Sequence, residues 1–144
     1  MKSYHFRLAR LTRIRELEEK VAKDRLMLAL RDLRRAKAME LEAKARLASL
    51  EPPTGQVTIA EIQWTQDQAQ RLSDSIRICH NNTASAQLKC AETRQAWSEA
   101  GKKSSVLARL DARSRNRWRE EAMRQELTEL DDLASSRPTP AARP

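Results

Sequence analysis

The chain is nearly free of glycine. Two of its 144 residues are Gly, too few for the Gly-rich loops that cradle phosphate in nucleotide-binding folds. Aromatic residues are 3% of the total, with one Phe, one Tyr and three Trp. That excludes a rich globular core and the stacking platforms of single-strand nucleic-acid binders. No apolar run approaches the roughly 20 residues of a membrane-spanning helix. Charges recur every few positions through residues 1–20, which leaves no apolar region for a secretory signal. Cys79 and Cys90 would lie roughly 16 Å apart on one helix, whereas a disulfide needs Cα atoms within about 7 Å. His80 has no partner in a metal-ligand pattern. No nucleophile–base pair falls where a pocket could form. Acid pairs such as Glu120–Glu121 and Asp131–Asp132 read as solvated helix surface. The chain therefore reads as a cytoplasmic non-enzyme, with no catalytic residue, metal or cofactor.

What is abundant is Ala, Leu, Glu, Lys and Arg, the composition of long helices. Residues 22–50 hold the pattern around which the rest is organised. Ala22, Leu26, Ala29, Leu33, Ala36, Glu40, Ala43, Leu47 and Leu50 recur at four–three spacing. That is a heptad whose apolar seam is two positions wide, as in a coiled coil. Upstream, Leu8, Leu11, Ile14, Leu17 and Val21 continue a helical stripe, with a slip of one residue between Val21 and Ala22. Glu40–Lys44 and Glu42–Arg46 are i,i+4 pairs in the favourable order. Residues 1–5 read as frayed.

Pro52 and Pro53 end the first helix near Glu51, because a residue before proline is pushed out of the helical region. Thr58 and Glu61 form a capping box that restarts a helix within a residue or two of Thr58. The second seam runs Ile62, Thr65, Ala69, Leu72, Ile76, Cys79, Thr83, Ala86, Cys90, Thr93, Trp97 and Ala100. The two seams match in an antiparallel register whose paired residue numbers sum to 112, such as Glu40 with Leu72. The expected fold is all-α: one antiparallel coiled-coil hairpin over residues 1–136. Helix one spans about 5–51, helix two about 58–135, and a disordered tail covers 137–144. In this register helix two overhangs helix one by nearly thirty residues, roughly 40 Å.

The net charge is +8 and it is uneven. Residues 1–50 hold 14 basic and 7 acidic residues, residues 102–128 hold 8 and 4, and residues 51–101 hold 4 and 6. The hairpin therefore has a basic open end and a near-neutral turn end. A basic balance raises nucleic acid, an anionic membrane surface or an acidic protein as partner. Duplex binding needs a basic stripe. Here Arg7, Arg10, Arg13, Arg15, Lys20 and Lys23 go round the helix and are interleaved with Glu16, Glu18 and Glu19. A protein-binding rod is the better reading, with a basic coiled-coil nucleic-acid binder as the alternative. Near the turn, Trp64 lies two past the seam residue Ile62 and so faces outward. Gln68 and Arg71 follow on the same helix face. With Leu41 and Ala45 of helix one they form a candidate docking patch.

Several short segments, in order, resemble the FliJ family, the coiled-coil stalk and chaperone proteins of the bacterial flagellar type III export ATPase. They are Phe6-Arg7-Leu8, then Ile14-Arg15-Glu16-Leu17-Glu18-Glu19, Arg117-Trp118-Arg119-Glu120-Glu121 and Glu129-Leu130-Asp131-Asp132-Leu133-Ala134. Trp97 also falls where family members often carry Trp. The homologous injectisome stalk (YscO type) shares the architecture and is the alternative within this resemblance. The resemblance implies a hairpin like the rotary ATP synthase gamma stalk. Its terminal end enters the pore of the export ATPase hexamer, its turn end engages the export gate protein FlhA, and the rod helps cycle substrate chaperones. It implies a cytoplasmic protein held at the cell membrane only through the export apparatus at the flagellar base, with no nucleic-acid partner. On this reading Arg7, Arg10, Arg13, Arg109, Arg113, Arg117 and Trp118 bind the ATPase ring. Leu41, Ala45, Trp64, Gln68 and Arg71 bind the gate.

Overall fold

A computed structural model describes residues 3–136; the tail from 137 onward, read as disordered, lies outside the described residues. The fold is two long antiparallel helices, α1 (Ala9–Ala48) and α2 (Ile59–Ser135), with no strand among the described residues. Both helices contribute to two compact units. Leu17–Gly101 is one, and the segments up to Glu16 and from Lys102 form the other.

The helix ends follow local chemistry. α1 stops at Ala48, short of the prolines. The Ser49 hydroxyl donates to the Arg46 carbonyl at 2.9 Å and the Leu50 N–H to the Leu47 carbonyl at 3.2 Å. Two carbonyls of the last turn are thereby satisfied. Gly55 takes φ 93°, the left-handed conformation that an L side chain avoids, and so reverses the chain. The capping box forms as the sequence suggests. The Glu61 N–H donates to Thr58 Oγ1 at 3.3 Å, and the Thr58 N–H donates to Glu61 Oε2 at 2.9 Å. At the other end α1 starts at Ala9, whose N–H donates to the Phe6 carbonyl at 3.1 Å.

The seam of α1 from Ala22 onward is as read: Ala22, Leu26, Ala29, Glu40 and Ala43 are buried. Upstream the reading fails. Leu11, Ile14, Leu17 and Val21 are 37%, 52%, 63% and 48% exposed. The half-buried positions are Ala9, Thr12, Arg15 and Glu19. The four–three phase of Ala22 simply continues towards the N-terminus through polar residues, with no slip at Val21.

The register also differs from the expected one. Glu40 meets His80, and Glu19 lies over Gly101. The groove beside Ala43 and Arg46 is shared with Leu72, Ser75 and Cys79. Such partners' numbers sum to about 120 rather than 112, a displacement of about one heptad. A heptad seam maps onto itself under that displacement, so seam matching alone could not choose between the two. What distinguishes them is Glu40, which is 7% exposed. The expected register sets its carboxylate against Leu72, whereas here it has polar partners. Lys44 Nζ donates to Glu40 Oε1 at 2.8 Å, and His80 Nδ1 lies 3.1 Å from the same oxygen. The Thr83 hydroxyl reaches both Glu40 and the Cys79 carbonyl, and its single proton serves one of them at a time. A buried carboxylate without such partners is strongly destabilising.

Hydrogen bonds from Lys44 first, then Thr83 and His80, hold the Glu40 carboxyl down to about 2 against the opposing effect of burial. A carboxyl whose pKa is lower folded than unfolded contributes stability above its unfolded value, about 4.3, and loses it as pH falls through the folded value. The thermal midpoint should therefore fall between about pH 5 and pH 2 more steeply in the wild type than in Glu40→Gln. Thermal melts followed by circular dichroism across that range check it, and parallel curves would remove the carboxylate from the account.

Candidate functional site

The proposed ring-binding residues all belong to the unit that pairs the N-terminal segment with α2 beyond Lys102. There residues 4–8 pack against α2, contrary to the frayed start expected for Tyr4 and His5, while residues 1–2 of that stretch lie outside the described residues. Tyr4 is the anchor. Its hydroxyl donates to Asp111 Oδ1 at 2.7 Å, with the carbonyl of the same residue 3.2 Å away. Arg115 Nη2 donates to Asp111 Oδ2 at 3.0 Å, and its guanidinium stands 5.4 Å from the Tyr4 ring centre. That is cation–π range. The Tyr4 and Trp118 rings lie 5.9 Å apart at 57°, a tilted aromatic pair. Burial raises the Tyr4 phenol pKa. The Ser114 hydrogen bond and the Arg115 charge oppose that shift, while Asp111 reinforces it. The phenol therefore stays protonated and able to donate.

This clasp holds residues 5–8 over α2 and makes a groove. Phe6, Leu8 and Leu110 give it apolar walls, and Arg7, Arg113 and Arg117 line it with charge, together with His5 and Ser114. The structure thus brings together Arg7, Arg113 and Arg117 of the residues picked from the sequence. Trp118 is half-buried and serves the clasp. Arg10, Arg13 and Arg109 are exposed and do not line this groove. Because α2 meets the N-terminal segment as far as Trp118, the unpaired part of α2 is shorter than expected. Every described residue after Ala122 is exposed, a stretch of roughly 20 Å.

Tyr4, Asp111 and Arg115 were missed from the sequence. The available signal was on α2: Asp111, Arg115 and Trp118 recur at four and three, one helix face with an acid, a base and a ring. Tyr4 itself precedes the first helical turn, where periodicity carries no information.

The second candidate patch is in the unit Leu17–Gly101. Trp64 faces outward as expected, 62% exposed. Gln68 is half-buried and Arg71 exposed, one and two turns further on. The register sets Leu41 far from Trp64, while Ala45 lies about one turn along from the level of Arg71. Leu41 follows Glu40, which sits at the level of His80, sixteen residues or about 24 Å along α2 from Trp64. The heptad displacement of the register separates Leu41 from Trp64. Leu41 is instead 70% exposed on its own. No helix among the described residues is long and apolar enough to cross a membrane, and no group of His, Cys, Asp and Glu among them could hold a metal ion.

Comparison with known proteins gives one family: the model described as "Flagellar FliJ protein" matches residues 4–142. Neither the curated proteins nor the solved structures give a match.

If the clasp orders the N-terminal segment, Tyr4→Ala should strip amide-exchange protection from residues at the start of α1. Helicity of the rest should be kept. Tyr4→Phe, which retains the ring and loses the hydroxyl, should fall between. Hydrogen exchange resolved by peptide checks this, and unchanged protection in Tyr4→Ala would remove the clasp's structural role.

Proposed function

The chain belongs to the flagellar FliJ protein family, and from that premise we propose that it is a non-catalytic stalk of the flagellar export apparatus. It works by inserting its terminal unit into the export ATPase hexamer. The observation that carries this reading is the groove of Arg7, Arg113 and Arg117 with apolar walls, followed on α2 by a bare helical extension. A ring lumen is a channel, and a single helix projecting from a two-helix base is thin enough to enter one. Arginine forks beside apolar surface suit a lumen that carries carboxylates, because they pair bidentately and stack as well. Arg10, Arg13 and Arg109 add positive field around the same unit and steer the approach. Trp118 supports the groove through Tyr4.

The turn side serves the export gate protein FlhA in this proposal, through Trp64 with Gln68 and Arg71. An exposed indole beside polar neighbours is the kind of anchor on which protein interfaces concentrate their energy. Ala45 lies at the edge of that contact, and Leu41 takes no part in it. The helices also offer a surface to substrate chaperones. It acts in the cytoplasm, at the membrane face of the flagellar base, and reaches the membrane only through the apparatus.

Hydrolysis by the cognate export ATPase should rise on adding the protein and saturate near one chain per hexamer. The triple change Arg7→Glu, Arg113→Glu, Arg117→Glu should weaken the effect by at least about tenfold, with helicity retained. No stimulation, or stimulation untouched by the triple change, overturns the ring assignment. Salt-sensitive binding to duplex DNA instead would favour the basic coiled-coil alternative. At the other end, Trp64→Ala should weaken binding to the cytoplasmic part of the gate and spare the ATPase effect. Loss of both together with a lower melting point would make Trp64 a structural residue only.

A further inference from the structure

Beyond Lys102, α2 carries its charge in two blocks. Seven basic residues and one acid, Asp111, lie between Lys102 and Arg119. Six acids and one base, Arg124, lie between Glu120 and Asp132. The acidic block is also where α2 has lost its partner. Met123, Leu127, Leu130 and Leu133 recur at four, three and three, and they are 64%, 57%, 60% and 65% exposed. They form one apolar stripe on a lone helix, which is marginal in water. No described residue of the chain covers this stripe.

We propose that a second copy of this chain covers it, with the two α2 ends docked antiparallel and the acidic block of each lying on the basic block of the other. The charge pattern is self-complementary in that direction alone. An antiparallel pair centred near residue 122 sets Arg113 against the turn holding Glu129 and Asp131, and Arg117 against Glu126. The two-fold axis makes each of these contacts twice. A parallel pair would set acid on acid and base on base. One face at four–three spacing runs from Arg109 through Glu120 and Met123 to Leu130, so the contact can follow a single seam. Across it the arginine stems lie over the leucines while their guanidinium groups reach the acids. Exposed ion pairs are individually weak, so the apolar cover gives the affinity and the charges give the direction. An isologous contact of this kind closes at two copies. Docking would also cover Arg113 and Arg117, so the dimer and the ring-bound chain would exclude one another. The dimer itself rests on the charge blocks and the stripe, not on the ring assignment.

Sedimentation of the full chain at low salt, about 50 mM, keeps exposed charges weakly screened. The wild type should form a reversible dimer of twice its 16.5 kDa, and raised salt should weaken it. Arg113→Glu with Arg117→Glu sets acid against Asp131 and Glu126 of the other copy; Glu126→Arg with Asp131→Arg sets base against Arg117 and Arg113. Each double variant should raise the dissociation constant at least about tenfold, and an equimolar mixture of the two should recover the dimer. Circular dichroism of each checks that the helices remain. A wild type that stays monomeric, variants that associate as well as wild type, or a mixture that stays monomeric would each overturn the proposal. Arg7 lines the ring groove and lies outside the α2 contact of the dimer. Arg7→Glu, which should weaken ATPase stimulation and leave the dimer intact, therefore separates failure of the dimer from failure of the stalk.

Discussion

Two helices with no third layer share one narrow seam, and that constraint governs the molecule. Among the described residues the buried apolar set is Ala22, Leu26, Ala29, Ala43, Cys90 and Leu107, and no large side chain is fully buried. Alanine and cysteine at the seam let backbones approach closely, but each adds little area. Stability has to accumulate along length, which is why the helices run for 40 and 77 residues when an ordinary globular helix has about 12. A seam this thin has solvent on both flanks. It can therefore accept polar residues that a globular core would reject, provided their heads find partners at the edge. Glu40 and Thr83 are the buried examples, and the exposed Lys44 and His80 supply Glu40 from the flanks.

Much of this was legible in the residues. The four–three spacing of Ala22 to Leu50 needs no knowledge of the partner, and neither do the prolines after Glu51 or the Thr58–Glu61 box, because each is a local event. Register was not legible, since a heptad pattern looks the same after a seven-residue displacement. The polar residue in the seam was the available discriminator, because pairing Glu40 with Leu72 would have left a carboxylate against an aliphatic side chain. The Leu8–Val21 stripe misled for a related reason. Apolar periodicity was equated with burial, whereas the seam upstream of Ala22 is built of Ala9, Thr12, Arg15 and Glu19, and the more apolar face looks outward. Tyr4 escaped because a single aromatic ahead of a helix has no period, and its partners lie more than a hundred residues away.

The register has a functional consequence in the unit Leu17–Gly101. A displacement of one heptad slides one helix past the other by about 10 Å. That is enough to part Leu41 from Trp64 and to redraw which side chains share a face. A pair of long helices presents its partners with faces and shallow grooves, so the residues that fix register also fix what can bind. Glu40 touches no proposed partner, yet its carboxylate favours the arrangement in which Thr83 and His80 stand beside it. Replacing it with leucine would suit the expected register as well as the observed one. The polar seam residue that weakens the pair thus makes its surface unique, which is the best-attested use of a buried polar group between helices.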